Sequence, residues 1–123
     1  MPPITGTVRN WKSASLSISA GSAISASLIV AGRPVVGLLM PEFWTAASLS
    51  FDVSACEGGR FYPLYSDSLV EMTMKGSACR AIAACSVLDK LSSWYAMRVR
   101  SGCGVASVVD QASARQLTIF FQG

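Results

Sequence analysis

The chain has 123 residues, of which 51% are hydrophobic and 14% are charged, and its formal net charge is +3. This length supports a single domain around one core, over residues 1–123, and excludes a second core. The charged fraction lies well below the roughly 25% of typical globular domains, so we expect subunit contacts to cover part of the surface. No stretch approaches the roughly 20 clean apolar residues of a membrane-spanning helix. The opening MPPITGTVRN lacks the pattern of a secretory signal, so we expect no membrane partner and synthesis in the cytoplasm.

Polar and apolar residues alternate with period two along most of the chain, a pattern typical of β-strands. In chain order, the alternating or apolar runs predict strands over 13–20, 24–30, 35–40, 49–55, 61–65, 70–75, 95–100 and 117–122. The run 35–40 is apolar almost throughout, which predicts a strand buried on both faces. In the run 49–55 the odd-numbered residues predict a core face, and Ser50, Asp52 and Ser54 predict a polar face.

Glycine-containing turn signals separate these runs. The stretch SLSFDVSACEGGRFYPLY predicts a hairpin whose turn is Glu57-Gly58-Gly59. Helix is predicted only as one turn near 86–91 and another near 41–47. Seven or eight short strands at this spacing predict an all-β fold, an antiparallel β-sandwich or jelly roll.

The residue types present predict a protein without enzymatic activity. Histidine is absent, which removes the usual general base and the commonest metal ligand. The serines do not lie in a Gly-x-Ser-x-Gly elbow or beside an identifiable activating base. Two of the acids could form a glycosidase pair, but the sequence singles out no two of them. Because no glycine-rich phosphate loop follows a strand and opens a helix, we expect no cofactor and no specific nucleic acid.

The cysteines leave more than one role open. They are Cys56, Cys79, Cys85 and Cys103. Cys79 and Cys85 lack the close C-x-x-C spacing of zinc sites, so no metal is expected. Either of these two would suit a buried free thiol in the apolar stretch CRAIAAC. Cys56 and Cys103 lie beside glycine turns where exposure is expected, and a disulfide within or between subunits is as consistent with the pattern as free thiols are.

Aromatic and basic residues are candidates for contacts. The aromatic residues predicted to anchor the core or an interface, with stacking on a sugar as the alternative, are Trp44, Phe51, Phe61, Tyr65 and Trp94. Arg98 and Arg100 alternate along a predicted strand. This spacing favours a solvated strand face over a phosphate-binding stripe.

Two segments resemble a group of small virion proteins of tailed phages that are encoded among the head and neck genes. The segments are VGLLMPEFWTAASLSFDVSACEGGRFYPLYSDS and MRVRSGCGVASVVDQASARQLTIFF. The shared pattern includes M-P-x-x-W-T-A-A, F-x-x-L-Y, R-S-G and Q-x-x-x-R-x-L, from Val36 onward. The chain departs from it at two turns, where Cys56 precedes the glycines and Cys103 replaces a threonine. The hairpin by itself also resembles the discoidin-like jelly roll.

The resemblance implies a non-enzymatic virion structural protein, assembled in the host cytoplasm, in the head–neck collar or on the capsid exterior. Its implied partners are further copies of the chain and neck or major capsid proteins. Arg98, Arg100 and Arg115 would then make polar contacts to adjacent subunits, and Cys56 and Cys103 would staple loops. The discoidin-like hairpin implies an alternative, a carbohydrate-binding module with weak glycan affinity for attachment to a host surface.

Overall fold

The structure is a computed structural model that describes residues 11–83, 86–103 and 107–122. These ranges hold ten strands and one short helix. In chain order they are β1 (Trp11–Ile18), β2 (Leu28–Ile29), β3 (Val35–Leu39), β4 (Leu49–Ser54), β5 (Tyr62–Pro63), β6 (Thr73–Met74), β7 (Ala81–Ala83), α1 (Ser86–Leu91), β8 (Ala96–Cys103), β9 (Ser107–Val108) and β10 (Arg115–Gln122).

The strands form two antiparallel sheets. Sheet A has the order β1-β10-β3-β7, and sheet B has the order β2-β8-β4-β5, with β6 also paired to β4 and β9 to β8. The first and last long strands lie side by side, from Trp11 opposite Gln122 to Ile18 opposite Arg115. This architecture confirms the predicted all-β antiparallel sandwich.

The core lies between the two sheets and is built by the alternation seen in the sequence. Strand β10 buries every second residue, so Leu117, Ile119 and Phe121 face inward. Phe51 of β4 and Val99 of β8 meet them from sheet B, and both are fully buried. Burial of each such side chain contributes about 1.5–3 kcal/mol relative to its exposed state. The inward-facing residues thus account for the long strands.

Several local predictions are wrong in their details. The turn predicted near 86–91 is α1, but the segment 41–47 is not helical. Strand β3 is not buried on both faces, because Leu39 is exposed on the outer side of sheet A. The run predicted over 70–75 shortens to β6, since a turn at 66–70 occupies its first residue.

The hairpin in SLSFDVSACEGGRFYPLY forms as predicted. Strands β4 and β5 pair with Asp52 opposite Pro63 and Val53 opposite Tyr62. The amide of Gly59 donates to the carbonyl of Cys56 at 3.0 Å, and Gly58 has a φ of +69°. Glycine at this position avoids the penalty that a side chain carries in the left-handed region.

Candidate functional site

The polar side of β4 is buried. Ser50, Asp52 and Ser54 alternate with core residues, yet all six residues of the strand are buried, and Asp52 is only 2% exposed. The sequence predicted a polar face here because it shows only the alternation. In the structure, two arginines of the neighbouring strand β8 lie on the same side of sheet B.

These arginines form an ion-pair cluster with two carboxylates. Asp52 Oδ2 accepts a hydrogen bond from Arg98 Nε at 2.9 Å, and Asp52 Oδ1 accepts one from Arg100 Nη2. Arg100 Nη1 donates to Glu71 Oε2 at 3.2 Å. The guanidinium of Arg98 also lies over the ring of Phe61, 4.5 Å from its centroid. The cluster therefore joins β4, β8 and the segment before β6.

The two positive charges of the ion-pair cluster balance its two negative charges. The expected solvated strand face is wrong for Arg100, which is only 7% exposed. A buried pair of this kind destabilises the fold strongly when one partner is removed, by about 3–5 kcal/mol, because the other charge stays buried. The ion-pair cluster therefore stabilises the fold by linking β4 to β8 and to the segment before β6.

Gln111 forms a second polar centre at one end of the sandwich. Its buried side chain accepts a hydrogen bond from the amide of Thr45 at 2.9 Å and donates to the carbonyl of the same residue at 3.1 Å. It also donates to Ser101 Oγ at 2.8 Å and accepts from Arg115 Nε at 3.1 Å. Because both backbone groups of Thr45 bond to this amide, residues 41–47 have a fixed non-helical path.

The segments around Trp44 and Gln111 meet at this centre. Thr45 Oγ1 accepts from the amide of Ala112 at 3.1 Å and from Arg115 Nη2 at 3.2 Å. Trp44 packs partly buried against the core, and its Nε1 donates to the carbonyl of Ala47 at 3.1 Å. Thr45, Gln111 and Arg115 are therefore joined by hydrogen bonds that fix the paths of both segments. The periodicity of the sequence did not indicate that the side chain of Gln111 would join these segments.

The outer face of sheet A is uncharged. The outward side chains that the structure describes on β1, β10, β3 and β7 carry no formal charge. They are Ser13, Ser15, Ser17, Gln116, Thr118, Phe120, Gln122, Gly37, Leu39 and Ala81. Part of this face is a groove of about 560 Å³ lined by Val36, Gly37, Leu39, Ala81, Ile82 and Phe120, which we call the sheet A groove.

A cleft of about 360 Å³ opens beside the segment that follows β5. It is lined by Tyr65, Ser66, Asp67, Lys90, Ser93 and Trp94, with Leu64 and Met72 beneath them. Tyr65 is 48% exposed and Trp94 is 36% exposed. Within the part of the chain that the structure describes, the side chains of Asp67 and Lys90 have no ion-pair or hydrogen-bond partner.

The predicted anchors occupy different environments. Phe51 is fully buried in the core, and Trp44 is partly buried against it. Phe61 is half-buried beneath Arg98, while Tyr65 and Trp94 line the cleft. Contacts from the three candidate arginines to adjacent subunits stay a prediction, and internal hydrogen bonds already engage each of them.

The cysteines that the structure describes are free thiols. Cys56 and Cys79 are exposed, and Cys103 is half-buried. A buried thiol was one of the roles left open for Cys79, but this residue lies exposed in the loop before β7, where its Sγ donates to the carbonyl of Glu42 at 3.4 Å. Cys85 lies outside the described residues. Bridges between subunits stay a prediction.

The described ranges contain no group of three or more Cys, Asp or Glu side chains that could hold a metal ion. In the same ranges no helix is long and apolar enough to cross a membrane. Over these ranges the fold is an antiparallel β-sandwich that carries the ion-pair cluster, the polar centre at Gln111, an uncharged sheet face and an aromatic cleft. No family model, no curated protein and no solved structure matches the chain.

Proposed function

We propose that the chain is a non-enzymatic structural protein of a tailed-phage virion, placed in the head–neck collar or on the capsid exterior. The observation that carries this proposal is the uncharged outer face of sheet A. Interface centres are depleted in charged residues, because burying a charge without a partner costs several kcal/mol. A sheet face without charges can be covered by a neighbouring subunit without that penalty.

The size of this face sets what it can do. Its strands have eight, eight, five and three residues. At a rise of about 3.4 Å per residue and a strand spacing of about 4.8 Å, they span roughly 400 Å². Two such faces bury roughly 800 Å², slightly below the 1,000 Å² or so of a specific interface. A stable assembly therefore needs this face together with at least one further contact, as a many-subunit particle provides.

The resemblance to small virion proteins is the reason for proposing that this many-subunit particle is a virion. It rests on the segments around Trp44 and Gln111, which pack together through Thr45. A rigid sandwich of this kind can present a whole sheet to its neighbours. The buried groups Asp52, Arg100 and Gln111 have partners within the chain, so they need none from a neighbouring subunit.

The test is incorporation into virions of the phage that carries the gene. Ser15→Asp places a charge in the middle of the uncharged face, on a side chain already exposed, so the fold should tolerate it. Ser113→Asp, at an exposed serine outside sheet A, is the matched control. We expect the unaltered chain and the control to copurify with virions and Ser15→Asp to be depleted at least about tenfold, since an unpaired buried charge costs more than 1.4 kcal/mol. Absence of the chain from purified virions would reject the proposal.

A second candidate function, carbohydrate binding, is favoured by the aromatic cleft. Tyr65 and Trp94 offer exposed rings that can pack on the C–H face of a sugar. Asp67 supplies acceptors and Lys90 supplies donors for sugar hydroxyls, and the volume of about 360 Å³ suits one or two sugar rings. Discoidin-like domains, which the hairpin resembles, often bind carbohydrate.

The second candidate is tested on a glycan array, followed by titration calorimetry of any glycan that binds. Trp94→Ala should abolish binding. Tyr62→Ala removes an exposed aromatic ring outside the cleft lining and should leave binding unchanged. Equal losses in both variants, or an array without binders, would reject a sugar site in this cleft.

A further inference from the structure

The loop 66–70 carries the most exposed aliphatic side chains among the described residues. Leu69 is 82% exposed and the adjacent Val70 is 62% exposed. We call these two residues the apolar loop tip. Exposing two neighbouring aliphatic side chains forgoes the stabilisation of about 1.5–3 kcal/mol that burial of each would contribute. A tip of this kind is typical of a surface that another molecule covers.

The backbone holds the apolar loop tip in place. Leu69 has a φ of +61°, a left-handed conformation that costs a residue with a branched side chain about 1–2 kcal/mol. The amide of Leu69 donates to the carbonyl of Ser66 at 2.9 Å, and the amide of Ser66 donates to the carbonyl of Val70 at 2.8 Å. Ser66 Oγ also accepts weakly from the amides of Ser68 and Val70. The loop therefore presents Leu69 in a fixed, strained position, and strain of this kind is concentrated at functional sites.

The sheet A groove is an apolar hollow without an occupant from its own chain among the described residues. Gly37 of β3 leaves the middle of the groove open because it has no side chain. Its partner on the adjacent strand β10 is Phe120. Glycine inside a strand weakens it and often marks a place where another chain approaches closely. A Cβ added to Gly37 would lie 3.4 Å from the carbonyl of Ile82, which is ordinary contact. Packing within the chain therefore does not require glycine at this position.

We infer that the apolar loop tip of one copy of this chain seats in the sheet A groove of a second copy. This inference rests on the assembly role proposed above and names its partner as a second copy. Both surfaces are apolar and uncharged. The residues at their borders have opposite charges, with exposed Asp67 next to the tip and exposed Arg80 next to Ala81 at the groove. Because the groove is part of the sheet A face, a seated tip covers apolar side chains that the face otherwise leaves in water.

The contact is head-to-tail, because the tip belongs to the β5–β6 connection of sheet B and the groove belongs to sheet A. An open row of copies joined in this way has a free tip at one end and a free groove at the other. Such heterologous contacts propagate and either close into a ring or extend as a filament. A symmetric dimer, in which the same patch meets itself, has no such free ends.

The test uses two variants that each remove one side of the contact. Leu69→Asp places a charge on the apolar loop tip, and Gly37→Val fills the groove with a side chain that suits a strand. Measured by size-exclusion chromatography with light scattering, the unaltered chain should associate beyond a dimer. Each variant alone should associate at least about tenfold more weakly, since one buried aliphatic side chain is lost or excluded. An equimolar mixture of the two should form a heterodimer that does not grow, because one intact tip meets one intact groove.

Leu69→Gly separates association from folding. It removes the side chain and relieves the left-handed strain, and since Leu69 is exposed, the core is untouched. The variant should unfold at an unchanged or higher urea concentration and yet associate as weakly as Leu69→Asp. Undiminished association of Leu69→Gly would overturn the inference, as would a mixture that forms no heterodimer or an unaltered chain that stays monomeric at millimolar concentration. A monomeric chain that still enters virions would overturn this contact and leave the proposed function standing.

Discussion

Replacing Gln111 by leucine should destabilise the protein far more than its single polar side chain suggests. Leucine has a similar length but removes all four hydrogen bonds of the amide, which join Gln111 to Thr45, Ser101 and Arg115. Gln111 and Ser101 are fully buried, whereas Thr45 and Arg115 are half-buried and can turn to water. At a net contribution of about 1 kcal/mol per bond, partly recovered by water at the half-buried partners, we expect a loss of about 2–4 kcal/mol.

The assay is urea denaturation followed by tryptophan fluorescence, with the free energy of unfolding taken by linear extrapolation. Gln116→Leu is the matched control, since Gln116 is exposed on β10, and it should change the free energy by less than about 0.5 kcal/mol. A double-mutant cycle with Ser101→Ala should give a coupling of about 1 kcal/mol, because Gln111 donates directly to that hydroxyl. If Gln111→Leu lowers the free energy of unfolding no more than the control does, the stabilising role of the Gln111 hydrogen bonds is refuted.

The remaining predictions use the same unfolding assay or simple thiol chemistry. Asp52→Asn should cost about 2–4 kcal/mol, near the lower end of the range for a broken buried pair, since one carboxylate still neutralises part of the cluster. Arg98→Ala should cost only about 1 kcal/mol because that side chain is partly solvated, and the reverse order would contradict the ion-pair geometry. Gly76→Ala should cost about 1–3 kcal/mol, since its Cβ would lie 2.8 Å from a carbonyl oxygen, and an unchanged urea midpoint would show that the loop yields. In the reduced native protein, Cys56 should react with a thiol reagent faster than half-buried Cys103, and equal rates would contradict the exposures.

The long strands could be predicted from the sequence because their alternation directly reflects burial. In β10, for example, Leu117 and Ile119 are apolar for the same reason that they are inside. The glycine turn after β4 could be predicted because Gly58 adopts a conformation that few other residues tolerate. The runs 24–30 and 70–75 alternate as well, yet only the two-residue strands β2 and β6 form there, since pairing with a neighbouring strand decides where they begin and end.

The polar centres could not be predicted from local pattern. Arg98 and Arg100 reach Asp52 across a separation of 46 and 48 residues, and Gln111 reaches Thr45 across 66. The alternation indicates that these residues do not face the core. It does not indicate that side chains from distant parts of the chain bury them. The expectation of a solvated arginine face was therefore wrong for Arg100, although the strand itself was predicted correctly.

By itself the sequence determined the fold class and the hairpin, because hydrophobic periodicity and glycine turns act within a few residues of each other. Only the tertiary structure decided which polar residues are internal and which apolar residues remain outside. Leu69 is apolar like the core leucines, yet a turn at Ser66 places it in solvent. Gly37 resembles any other strand glycine until Phe120 and Ile82 surround it with a groove. These outcomes depend on contacts between distant segments, which exist only when the two sheets have packed together.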